Sequence, residues 1–185
     1  MLDKSAQAGQ HSFKARGQDL YETPACAVEA LLRVENIPHL VWEPACGPGS
    51  IVKVLRSHGH VVIGSDLLFY EDPTHFYGRD FFAQPLPKNV EAIVTNPPYQ
   101  LAADFVRHAI GLCPYVAMLL RLAFLESEGR SDILDAHLPA RIHVFKKRLP
   151  MMHRAGWTGK KASSAIAFAW FVWDGHPPYT TIDRI

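Results

Sequence analysis

The sequence predicts an α/β protein: an open, mostly parallel, doubly wound sheet that ends in an antiparallel strand pair. Three observations carry this. Short apolar, β-branched runs alternate with helical patterns through most of the 185 residues, the signature of parallel βα units. A glycine turn, "CGPGS", follows the first buried run directly and opens a helix. The last two apolar runs are separated only by a basic loop, residues 149–162, so they are expected to pair antiparallel.

Taken in order, residues 1–20 are polar and patternless and read as a flexible arm, and residues 21–185 read as one domain. In "YETPACAVEALLRV", Thr23 is the expected N-cap, Pro24 the first helical position, and Val28, Leu31 and Leu32 share a face. "HLVWEP" is a buried strand, and "CGPGSIVKVLRSHG" a helix that stops near Gly59. "HVVIGSDL" is a second strand ending in an acid; after an aromatic, proline-containing loop, "RDFF" is expected to end a short third strand. "AIVTN" is the fourth strand, and Leu101, Phe105 and Ala109 give the next helix a buried stripe. "YVAMLLRLAFL" is the fifth strand, "SEGRSDILDAHL" a short helix, "RIHVFKKR" the sixth strand and "SSAIAFAWFVWD" a long final one.

Composition excludes several classes. With 48% hydrophobic and 20% charged residues the chain is an ordinary globular one. No apolar run approaches the roughly 18 residues of a membrane helix, and the first 18 residues lack the apolar core of a signal peptide. Cys26, Cys46 and Cys113 are odd in number and far apart, which argues for reduced thiols, a cytoplasmic setting and no zinc framework. None of the ten histidines has metal-ligand spacing; His58 and His60 read as a solvated loop pair, so no metal is expected. The net charge of +1 hides an asymmetry: no acid occurs between Asp135 and Asp174, where Arg141, Lys146, Lys147, Arg148, Arg154, Lys160 and Lys161 all fall.

Three segments carry chemistry. After the first strand, Glu43, Ala45, Gly47 and Gly49 line a turn at which backbone can approach a ligand closely, but position 52 is Val, so the last glycine of the dinucleotide fingerprint is missing and a smaller ligand is expected. Asp66, 17 residues after Gly49 at the end of the second strand, is placed to accept from ribose hydroxyls, its bland alternative being a helix cap. Asp80 with Phe81 and Phe82 offers an acceptor and an apolar face to an adenine ring, or is a loop acid beside two core phenylalanines. The third segment is Asn96-Pro97-Pro98-Tyr99, closing the fourth strand. Two consecutive prolines remove two donors and fix two φ angles, so pairing stops in a stiff corner. Its amide oxygen and a proline carbonyl can grip the two hydrogens of an amino group, and its tyrosine ring can stack on a planar base or amide.

These motifs, in this order from about residue 12 onward, resemble those of the S-adenosylmethionine-dependent amino-methyltransferases, whose fold is the Rossmann-like class I methyltransferase sheet. In particular the chain resembles the small DNA adenine-N6 methyltransferases of bacteriophages and prophages. That resemblance implies S-adenosyl-L-methionine as cofactor: Glu43, Ala45, Gly47 and Gly49 at its methionine part, Asp66 at the ribose, Asp80 and Phe81 at the adenine, Tyr21, Thr23 and Pro24 over the sulfonium end, and Leu67 as a further cofactor-binding residue. It implies Asn96, Pro97, Pro98 and Tyr99 as the catalytic corner, acting on a base flipped out of a duplex. The chain departs from the family in having Pro44, Ala45 and Cys46 where an aromatic residue is common, and in leaving no room for a separate target-recognition domain.

Sequence reading would then fall to the arm and to the loop holding Lys146, Lys147, Arg148, Arg154, Lys160 and Lys161, with Trp157 or the methionines available to wedge or stack; its bland alternative is a merely soluble hairpin loop. The expected partner is nucleic acid, DNA first, and the expected reaction is methyl transfer to the N6 amino group of adenine. An RNA base and a protein glutamine remain as other acceptors of the same chemistry, and a non-catalytic nucleic-acid-binding module as the non-enzyme alternative.

Overall fold

The computed structural model of the chain describes residues 21–150, 152–153, 166–175 and 178–185. Its main sheet has eight strands. β2 (Leu40–Glu43) is central, flanked by β3 (Val61–Asp66) and β5 (Ala92–Thr95). Beyond β3 lies the short edge strand β4 (Phe76–Tyr77); beyond β5 come β6 (Tyr115–Arg121), β9 (Phe168–Asp174), β7 (Arg141–Val144) and the second edge strand β10 (Thr181–Arg184). β9 is antiparallel to both β6 and β7, and the remaining pairings are parallel. A separate two-stranded ladder joins β1 (Tyr21–Glu22) to β8 (Met152–His153).

The central strands are buried on both faces, which is why they read as continuous apolar runs rather than alternating ones. On one side Val41, Val94, Ala117, Leu119 and Trp170 pack with α1 (Ala25–Leu32) and α2 (Ser50–Ser57). On the other, Trp42, Ile93, Val116, Met118 and Phe171 pack with α3 (Ala102–Leu112) and α4 (Ser131–Leu134). Two indole N–H groups buried by this packing are satisfied, Trp42 donating to Ser65 Oγ at 2.8 Å and Trp170 to the Ala27 carbonyl at 2.8 Å.

Four expectations are corrected. Thr23 does not cap α1: Pro24 is the N-cap, no side chain caps the helix, and Thr23 is buried in a cavity wall. The third strand is β4, earlier in the chain than "RDFF", whose phenylalanines form a 3-10 turn (Phe81–Ala83). Asp80 Oδ1 accepts from the Phe82 N–H at 3.0 Å, and that local bond favours a turn over a ladder. Leu101 is 43% exposed rather than part of the α3 stripe, because the chain leaves the proline corner through a 3-10 turn (Tyr99–Leu101) before α3 begins. Finally, "SSAIAFAWFVWD" does not supply the last strand: β10 follows it and runs parallel to β7 at the sheet edge. All four β10 residues are exposed, so hydrophobic alternation gave no signal for it.

Candidate active site

The chain crosses from the β3–β4 side of β2 to β5 on the other side, so the carboxyl ends of β2 and β5 flank a switch in strand order, where open α/β sheets bind ligands. Loops leaving β2, β3 and β5 meet there around a cavity of about 200 Å³. From β1 and the turn after it come Glu22 and Thr23; from the β2 end, Glu43 to Pro48 with Ser50 and Ile51; from the β3 end, Asp66, Leu67, Leu68 and Tyr70. Arg79 to Phe82 form another wall, and Asn96 to Tyr99 with Leu101 and Phe105 close the β5 side.

The cavity floor is acidic. Glu43 is fully buried; its Oε1 accepts from Thr95 Oγ1, and its Oε2 has no partner among the described residues. Burial pushes this carboxyl well above its ordinary range; hydrogen bonds from Thr95 and the Ala45 amide oppose the shift, and the nearby Asp66 charge adds to it. Asp66 folds the glycine turn onto itself: Oδ2 accepts from the Gly47 N–H at 2.8 Å and Oδ1 from the Leu68 N–H at 2.9 Å. Burial raises its pKa against the pull of the Leu68, Gly47 and Leu67 amides. Ser50 Oγ donates to Glu22 Oε1 at 3.2 Å. Burial, then the Glu43 and Asp66 charges, push the Cys46 thiol up, so it stays protonated and is no nucleophile. Burial likewise pushes the Tyr70 hydroxyl up to about 12.

Gly49 opens α2 with φ of +86°, and a Cβ there would lie 2.3 Å from the His75 ring, whose other side meets Gly64. The glycine turn is therefore fixed by a buried histidine on β3's flank.

On the β5 side, Thr95 is the last paired residue, and the prolines carry the chain outward before α3. Pro97 is buried, Asn96 and Tyr99 are half-buried, and the Pro98 carbonyl accepts from the Leu101 N–H at 2.9 Å. The Tyr99 ring lies 5.8 Å from the Phe168 ring at 41°, and the Arg121 guanidinium carbon is 4.3 Å from its centroid.

The structure thus brings Thr23, Glu43, Ala45, Gly47, Asp66, Leu67, Asp80, Phe81, Asn96, Pro97, Pro98 and Tyr99 into one cavity wall, whereas Pro24 and Gly49 lie off it and Tyr21 sits in the β1–β8 ladder. Phe81 also packs against Trp42 and Phe105 as a core phenylalanine that faces the cavity, whereas Phe82 is 40% exposed and not a core residue. Sequence reasoning missed Tyr70, Arg79 and Ser50; only their closeness to Asp66, Asp80 and Gly49 pointed toward them. Lys146, Lys147 and Arg148 are exposed just past β7, while Arg154, Trp157, Lys160 and Lys161 lie outside the described residues. The β1–β8 pairing sets Met152 opposite Glu22, a residue of the cavity wall. Among the described residues no cluster of His, Cys, Asp or Glu could hold a metal ion, and no helix is long and apolar enough to cross a membrane.

No family model matches the chain, and no curated protein does. Solved structures do. A chain assigned as the modification subunit of a type I restriction enzyme from Vibrio vulnificus superposes with a TM-score of 0.62 at 14% identity, over 93% of this chain and 48% of that one. One assigned as an RNA methyltransferase from Pyrococcus horikoshii gives 0.63 at 14% identity, over 86% and 88%. One assigned as a hemolysin from Lactococcus lactis gives 0.59 at 10% identity, over 87% and 91%. The chain spans about half of the Vibrio subunit and most of the other two. The fold is the Rossmann-like methyltransferase sheet, mostly parallel with the antiparallel pair near its C-terminal end. At such identities the likeness is one of fold, and function has to be argued from the site.

Proposed function

We propose that the protein transfers a methyl group from S-adenosyl-L-methionine to an exocyclic amino group of a nucleic-acid base, the N6 of adenine in DNA first. The observation that carries this reading is that Asn96-Pro97-Pro98-Tyr99 stands in the wall of the same cavity as Glu43 and Asp66.

The cofactor fits the residues present. Its sulfonium and ammonium charges suit a floor with two buried carboxyls, and Glu43 Oε2 is a buried acceptor with no protein donor among the described residues. Asp66 is already held rigid by backbone amides and keeps lone pairs for ribose hydroxyls, and Asp80 is fixed the same way by the Phe82 amide. When bound, the cofactor supplies an electrophilic methyl group. The protein's share is placement. With the Pro98 carbonyl occupied by Leu101, the Asn96 side-chain oxygen and the Pro97 carbonyl are the acceptors for the two amino hydrogens, which aims the nitrogen lone pair into the cavity. Tyr99 offers the face on which the base stacks.

Charge favours nucleic acid over a glutamine side chain. Glu22, Glu43, Asp66 and Asp80 lie on the β2–β3 side of the corner, accompanied by Arg79, whereas Arg121, Lys146, Lys147 and Arg148 end or follow β6 and β7 on the other. A cationic donor and a polyanionic acceptor would thus approach the corner from opposite sides.

The test is transfer of labelled methyl to unmethylated DNA, with ribosomal RNA and total protein as parallel acceptors, followed by nucleoside analysis. N6-methyladenine in DNA is expected, abolished by Asn96→Ala while affinity for S-adenosylhomocysteine stays within about threefold. Label in protein alone would overturn the acceptor, and equal loss of transfer and cofactor affinity would make Asn96 structural.

A further inference from the structure

Tyr99 does not present a bare ring. In the ladder, Thr95 pairs with Met118, so β6 continues to Arg121 past the last paired residue of β5 and overhangs the proline corner. Arg121 is the terminal, exposed residue of that strand, opposite Phe168, and its guanidinium carbon lies 4.3 Å from the centre of the Tyr99 ring. It is exposed and is not part of the cavity wall, although the Tyr99 ring it covers is.

Four other arginines of the fold are occupied, whereas Arg79 in the cavity wall and Arg148 past β7, like Arg121, have no side-chain hydrogen bond or ion pair among the described residues. Arg107 is held by Asp104 and Asp132, Arg141 by Glu35 and Asp174, Arg130 by three main-chain carbonyls, and Arg56 by the Val62 carbonyl and Thr74. The Arg121 side chain has no hydrogen bond or ion pair among the described residues; its contact is the aromatic face. At an exposed site such a contact is weak enough to be exchanged, and a planar cation with five free donors is a ready partner for a phosphate.

Resting on the reading above, we propose that Arg121 is a nucleotide-anchoring residue. Its guanidinium occupies the Tyr99 face until the acceptor arrives; the base then takes that face, and the guanidinium moves to a phosphate flanking the same nucleotide. A nucleotide carries a stacking plane and an anion one sugar apart, and Tyr99 and Arg121 match that pairing. A glutamine side chain offers the plane without the anion.

The experiment compares the wild-type protein, Arg121→Gln and Arg121→Lys. It measures binding of a fluorescein-labelled mixed-sequence oligodeoxynucleotide, single-stranded and duplex, across a salt series with S-adenosylhomocysteine present; the labelled-methyl assay runs alongside. Losing one phosphate contact should lower the slope of log affinity against log salt by about 0.9 on duplex, or about 0.7 on single strands, in Arg121→Gln but not in Arg121→Lys. The KM for nucleic acid should rise while S-adenosylhomocysteine affinity stays unchanged. An unchanged slope in Arg121→Gln overturns the inference, and if wild type still methylates nucleic acid, the functional reading stands without it. A parallel fall in S-adenosylhomocysteine affinity also overturns it, marking Arg121 as structural. No nucleic-acid binding by wild type, with label in protein, removes both.

Discussion

At the scale of single residues, Glu43 shows the tension between folding and ligand binding most directly. A fully buried carboxyl with one oxygen unmatched among the described residues is costly to the fold, and burial accordingly drives its pKa up. The sign follows from linkage: a carboxyl whose folded pKa exceeds its unfolded one burdens the fold once pH rises above the unfolded value, so the burden is present at neutral pH. Glu43→Gln keeps the shape and an acceptor for Thr95 but cannot ionise. Denaturation at pH 7 should show a midpoint equal to or above wild type, while titration with S-adenosylhomocysteine shows affinity reduced at least tenfold. A destabilised variant with normal affinity would make Glu43 a packing residue. Gly49 illustrates a different point: its motif was visible in the sequence as a turn, but its partner was not. A histidine 26 residues away is what forbids a side chain there, and no local pattern announces such a contact.

At the scale of elements, the end of the sheet opposite the cavity, where β6 and β7 begin, is tied by a cluster around Glu35, in the loop between α1 and β2. Its carboxylate accepts from Tyr115 at the start of β6 (3.0 Å), from Arg141 at the start of β7 (2.5 and 2.9 Å) and from buried His143 (2.7 Å). Burial alone would raise the Glu35 pKa. Hydrogen bonds from His143 and Arg141, the Arg141 charge and the Tyr115 hydroxyl overcome it and hold the carboxyl at about 2 instead of its ordinary 4.5. A depressed folded pKa means stability that is complete above 4.5 and is lost as pH falls from there toward about 2. The lowering corresponds to roughly 3 kcal/mol. Glu35→Gln should therefore be less stable at pH 7 by about 2–4 kcal/mol, because Arg141 keeps only Asp174 as a partner. The gap between variant and wild type should shrink as urea midpoints are followed from pH 5 toward pH 2. A gap that does not change with pH would show that packing, not the carboxylate, ties this end of the sheet. None of this was legible in the sequence, where Glu35, Tyr115, Arg141 and His143 are up to 108 residues apart.

At the scale of the whole molecule, what the sequence revealed and what it concealed divide along a physical line. Buried strands and the turns that end them are local events. The apolar runs at β2, β5 and β6, the glycine turn and the proline corner were all readable, and so was the antiparallel β7–β9 pairing, from the missing helix between them. Features set by tertiary contact were not: exposed β10, the 3-10 turn that replaced the third strand, Leu101's place in the cavity wall, and Arg121 over Tyr99. The charge asymmetry belongs with the first group as composition and with the second as geometry, because the fold is what sets Lys146, Lys147 and Arg148 beyond β7 on the same side of the corner as Arg121. If that side carries the acceptor, its cations act through released counterions, and their effects on the salt slope should add. Replacing all three by Gln should lower the slope for duplex DNA by about 2.7, from 0.9 for each phosphate lost, roughly three times the change expected from Arg121 alone. Cofactor affinity should be untouched, since none of the three walls the cavity. A slope that moves for Arg121→Gln but not for this triple variant would confine the acceptor to the immediate rim of the corner, whereas movement in the triple variant alone would place the phosphate track along the β7 end and away from Tyr99.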